Sequence, residues 1–141
     1  MSTEISSDSS LLAEGMQARR EVLGAAYVDR ATAPTDDMTA AFQPFMTSYC
    51  WGEIWTDDTL PRRERSMLVL AMTAALGRTA ELEAHTLGAL RNGVTESELL
   101  ALLKQITVYC GVPAGVTALR AMRQVIATYN EDASTHDQGT R

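Results

Sequence analysis

Apolar side chains recur at three- and four-residue spacing along most of the chain, and no stretch alternates as a half-buried strand must. Leu12, Met16, Leu23 and Tyr27 form a first helical stripe, loosely stopped around Ala31–Pro34. Met38, Phe42, Phe45 and Tyr49 form a second. Asp57-Asp58-Thr59 with Pro61 marks the start of a third helix. From Ser66 to Leu76 that helix is apolar or small on every side, a pattern that predicts central burial; Gly77 ends it. A fourth helix runs from about Thr79 to Asn92, with Gly93 as its stop. Thr95-Glu96-Ser97-Glu98 is a capping-box pattern opening the fifth, whose core face carries Leu99, Leu102, Leu103 and Ile106. Gly111 and Pro113 separate it from a last helix read from Val116, Leu119, Met122, Ile126 and Tyr129.

The expected architecture is therefore all-α: a single domain of about six helices over residues 11–130. Disordered ends are expected at 1–10 and at 131–141, where polar residues replace the apolar pattern. Helix three has more apolar surface than so short a chain covers comfortably, which points to self-association.

Composition narrows the class. The chain of 141 residues, 45% apolar and 21% charged, is of ordinary domain size. A net charge of −6 argues against nucleic acid, which requires a basic stripe. No apolar run is long enough for a membrane span, and the Ser-rich, acidic N-terminus lacks the regions of a secretion signal. A cytoplasmic protein is expected. Cys50 and Cys110 form no C-x-x-C pair, and with only His85 and His136 besides, no familiar metal site can be assembled. Two free, half-buried thiols are expected.

The candidate chemistry centres on a few positions. His85 shares a helix face with Leu82 and Ala89, so it is either a core histidine satisfied by a backbone carbonyl or a proton-transfer group. Glu81, one turn before it, is placed to orient the ring or raise its pKa. Arg62 and Arg65 share a face at a helix start, where cations oppose the helix dipole; guanidinium is the natural bidentate partner of a carboxylate. Trp51-Gly52-Glu53-Ile54-Trp55 reads either as the aromatic wall of a pocket with Glu53 inside it, or as core anchoring with Glu53 exposed. Tyr109 either offers a phenol or merely packs.

These pieces together resemble the carboxymuconolactone decarboxylase family. The resemblance rests on Arg30 in Val28-Asp29-Arg30, Trp51 to Trp55, Arg62-Arg63-x-Arg65-Ser66, Glu81-Leu82-x-x-His85, Asn92-Gly93-Val94-Thr95 and Tyr109-Cys110-Gly111-Val112-Pro113. It spans roughly residues 12 to 128; each piece is short, but their order and spacing are specific. Pro61 and Glu64 depart from the family pattern at the helix start.

The resemblance implies an all-helical homo-oligomer, typically hexameric. It also implies decarboxylation of a doubly anionic carboxylated butenolide in protocatechuate breakdown by the β-ketoadipate route. No cofactor is expected, because the lactone is its own electron sink. His85 is then the expected proton donor, with Glu53 second and Tyr109 a donor to the lactone oxygen. Arg62 or Arg65 binds the acetate arm, and Trp51 borders an apolar pocket. Alkylhydroperoxidases of the wider superfamily carry C-x-x-C-x-x-x-H on the corresponding helix. Here Arg78 and Glu81 stand at the cysteine positions, which disfavours thiol peroxidase chemistry. The alternatives are such a peroxidase or a non-catalytic helical oligomer that binds a small acid.

Overall fold

The structure, a computed structural model, describes the backbone of residues 2–138 and the side chains of residues 8–136. Every regular element among them is helical: α1 (Ser2–Leu23), α2 (Ala25–Thr32), α3 (Asp37–Met46), a π-helical segment (Thr47–Trp55), α4 (Arg62–Ala75), α5 (Thr79–Arg91), α6 (Glu96–Cys110) and α7 (Val112–Gln138). The all-α expectation holds, with more pieces than expected. No helix among the described residues is long and apolar enough to cross a membrane. The chain divides into two compact units, the first ending at Arg62 and the second beginning at Arg63.

In the first unit, the expected single helix through Leu12, Met16, Leu23 and Tyr27 is broken. Gly24 has φ +91°, a backbone conformation that a side-chain-bearing residue rarely adopts, so α1 ends and α2 begins around it. Asp36 caps α3, its carboxylate accepting from the Thr39 amide at 2.7 Å. Pro44 lies inside α3, and the backbone widens into the π segment three residues later. Ala18, Val22, Leu23, Val28, Trp51 and Trp55 are buried. The second apolar stripe behaves differently: Met38, Phe42, Phe45 and Tyr49 are all exposed, with the Phe45 and Tyr49 rings stacked at 6.0 Å.

The second unit is a four-helix arrangement around Leu70, Ala74, Leu82, Ala89, Val94, Leu99, Leu103, Ile106, Ala118, Ala121 and Met122. The helix stops fall where expected, at Gly77, Gly93 and Gly111, each with positive φ. The Thr95–Glu98 capping box forms with both reciprocal bonds. Central burial of α4 is corrected. Ser66, Leu70, Thr73 and Ala74 are buried, but Leu68, Met72 and Leu76 are 45%, 58% and 71% exposed. Apolar residues all round a helix record how much surface it has to cover; this chain by itself covers one stripe of it.

At both ends the described backbone is helical. Residues 2–10 continue α1, and residues 131–138 continue α7, in both cases with exposed positions wherever side chains are described. Neither stretch contains Gly or Pro to break the helix that adjoins it. Met1 and residues 139–141, within the ends expected to be disordered, lie outside the described residues.

Candidate functional site

In the second unit, His85 sits midway along α5, between Leu82 and Ala89, both fully buried. Thr86 beside it is also buried and returns its hydroxyl to the Leu82 carbonyl at 2.7 Å. Burial pushes the His85 imidazole down from 6.5 to about 4, while the Glu81 carboxylate pulls the other way. Glu81 therefore acts in the expected direction, but desolvation wins. At neutral pH the ring is uncharged, able to accept a proton rather than standing ready with one.

Arg65 is half-buried in the first turns of α4, next to the fully buried Ser66. Arg63 points elsewhere, donating to the Glu98 carboxylate and so joining α4 to the capping box of α6. Tyr109, at the end of α6, is 82% exposed. It lines a mainly apolar groove of about 430 Å³ with Glu64, Met67, Leu68, Leu102 and Cys110. Neither His85 nor Arg65 lines a cavity described within this unit.

The first unit carries the remaining candidates. Arg62, at the start of α4, donates to Glu21 at 2.5 Å, so its charge already has a carboxylate partner. The same contact holds the Glu21 carboxyl below its usual range, with Gln17 assisting. Trp51 is buried, its ring stacked on Trp55 at a centroid distance of 4.9 Å and 22° between planes. Glu53 is exposed and lines a cavity of about 770 Å³ with Asp8, Leu12, Pro44, Phe45 and Tyr49. Two carboxylates facing one cavity favour a cation there over a dianion.

Both thiols are free as expected, and only the burial of Cys110 departs from expectation. Cys50 is half-buried, its pKa raised by burial and eased down by Arg19, whereas Cys110 is exposed. Sequence reasoning missed Arg19 altogether. It is 5% exposed, and Nη1 donates to Gln43 Oε1 and to Thr47 Oγ1, both at 2.9 Å. Its sequence setting, Gln17-Ala18-Arg19-Arg20-Glu21, reads as a solvated helix surface.

Helical elements throughout the described residues, a half-buried neutral imidazole and an arginine-rich helix start are the features that define its class. The model of the carboxymuconolactone decarboxylase family matches residues 40–124. The chain is 38% identical over 112 residues to a 4-carboxymuconolactone decarboxylase of Acinetobacter baylyi, covering 79% of this chain and 84% of that one. It is 35% identical over 116 residues to a nitrosuccinic acid decarboxylase of Metarhizium robertsii, covering 82% and 81%. The protein belongs to the carboxymuconolactone decarboxylase family, and its activity is that of a decarboxylase.

Proposed function

We propose that the protein converts 4-carboxymuconolactone to 3-oxoadipate enol-lactone and CO2 in protocatechuate catabolism, as a cytoplasmic homo-oligomer, with a hexamer as the expected size. The observation that carries this reading is the 38% identity, over most of both chains, to an enzyme of that name.

The chemistry needs little from the protein. The bond between the ring γ-carbon and its carboxylate breaks, releasing CO2. Its electron pair forms the β,γ double bond, while the α,β pair moves into the lactone carbonyl to give a furanolate. A proton then adds at the α-carbon. A dianion and one proton become a monoanion and CO2, so each turnover consumes a proton.

His85 is the proposed donor. Its neutral resting state makes substrate the trigger, because a nearby dianion favours the protonated ring. Proton transfer to the furanolate then returns the ring to neutrality. Arg62 or Arg65 is proposed to bind the acetate arm, a guanidinium being the natural bidentate partner of a carboxylate. Tyr109 is proposed as a donor to the lactone oxygen, where charge develops in the transition state. Glu53 is the second proposed proton donor and Trp51 the proposed apolar wall.

A second substrate reading comes from the other relative. Nitrosuccinic acid is also a dicarboxylic acid whose departing carboxylate neighbours an electron-accepting group, there a nitro group. Supplying each compound separately and measuring CO2 distinguishes the two. Turnover of the lactone at least tenfold faster supports the first reading; the reverse order replaces it.

A further inference from the structure

The π segment Thr47–Trp55 is nine residues long, whereas π geometry ordinarily persists for a single turn, often at functional sites. Something outside the segment has to hold it. One stripe of α1, Leu11, Gly15 and Arg19, supplies the grip; its members lie four residues apart and so share a face. A Cβ on Gly15 would stand 2.7 Å from the Thr47 carbonyl oxygen and 2.7 Å from the Gly52 amide nitrogen. Those two groups are five residues apart, the separation of a π-helical hydrogen bond. A Cβ on Gly52 would in turn stand 2.6 Å from the Leu11 carbonyl oxygen. The two backbones thus touch where the wide turn is.

Arg19 adds the polar half of the grip one turn further along α1. Its Nη1 bridges Gln43 in α3 and Thr47 at the first π position, straddling the change in helix geometry. Both acceptors are neutral, and a guanidinium buried on neutral partners is costly to maintain. Thr47, Trp51, Gly52 and Trp55 are buried against this arrangement, while Glu53 and Ile54 face outward. Relaxing the segment to α geometry removes the extra residue per turn. Every side chain after Thr47 then rotates relative to α1, and that buried set cannot stay together.

We infer that Arg19 is a positioning residue of this decarboxylase: it fixes the π register that turns Trp51 inward against Trp55 and presents Glu53. The catalytic part of this inference rests on the proposed lactone reaction. The experiment compares Arg19→Met, Arg19→Lys and Thr47→Val in the full chain. It reads the far-ultraviolet exciton couplet of the stacked tryptophans by circular dichroism, and kcat and KM for 4-carboxymuconolactone.

Arg19→Met should keep a cooperative thermal transition, lose most of the tryptophan couplet, and lower kcat roughly ten- to hundredfold with little change in KM. Arg19→Lys should recover part of both signals. If Arg19→Met does not fold, Thr47→Val decides, with the same loss of couplet expected. A wild-type couplet in a folded Arg19→Met or Thr47→Val variant overturns the inference, as does a lost couplet with unchanged kcat. Failure of the substrate reading shows separately, as no CO2 from the unsubstituted protein; the couplet then still decides whether Arg19 sets the register.

Discussion

Asn92 Nδ2 donates a 2.9 Å hydrogen bond to Ser66 Oγ, tying the end of α5 to the first turns of α4. Ser66 is fully buried, so its hydroxyl depends on protein partners. Two of the short motifs that suggested the family, Arg62-Arg63-x-Arg65-Ser66 and Asn92-Gly93-Val94-Thr95, are thereby one clasp, reinforced by Arg63 on Glu98. Part of what looked like a substrate motif holds the second unit together. Asn92→Ala should lower unfolding free energy by about 1–3 kcal/mol, with an unchanged denaturant slope. Urea titration followed at 222 nm checks this, and an unmoved midpoint contradicts it.

The capping box offers a finer test. Thr95→Ala removes the acceptor for the Glu98 amide and should cost about 1 kcal/mol. Arg63→Ala, which breaks a half-exposed ion pair to the same glutamate, should cost less than Thr95→Ala, because solvent screens the pair. The order of the two midpoints is the prediction; a larger loss for Arg63→Ala would reverse it.

His85 makes stability depend on pH in a definite direction. Its folded pKa of about 4 lies below the ordinary 6.5, so between those values the unfolded chain binds more protons. The contribution is full above about pH 6.5 and shrinks as pH falls towards 4, by at most about 3 kcal/mol. His85→Leu should flatten the stability profile between pH 4 and 6.5, read as unfolding free energy at several pH values. An equally steep profile in that variant would show that another group titrates there.

The exposed face of α4 bears on assembly. Leu68, Met72 and Leu76 leave apolar surface open on a single chain, and the proposed oligomer covers such surface. Met72→Glu should shift the mass seen by light scattering towards smaller species while leaving helical circular dichroism intact. A monomeric unsubstituted protein would refute the oligomer.

Legibility in the sequence followed the range of the forces involved. The capping box at Thr95 and Glu98, and the stops at Gly77, Gly93 and Gly111, are local devices, and each was readable from a few neighbouring residues. The break at Gly24 was hidden because Leu12, Met16, Leu23 and Tyr27 keep helical phase across it. The π segment was invisible for another reason: its contacts come from Gly15 and Arg19, some thirty residues upstream, and no local pattern encodes them. Candidate residues fared likewise. The face of His85 could be placed from spacing, but its neutral state depends on burial by the folded chain. The Arg62 ion pair spans 41 residues and could not be foreseen.

The most direct test of the whole account follows unsubstituted protein and His85→Asn, side by side, on freshly generated 4-carboxymuconolactone in weak buffer. CO2 is swept out as gas before it can hydrate to bicarbonate and a proton, and its release and the pH are recorded together. The account predicts one CO2 released and one proton consumed per lactone by the unsubstituted protein, and at least a hundredfold slower release by a folded His85→Asn. Equal rates from the two proteins, or no CO2 from either, would contradict it.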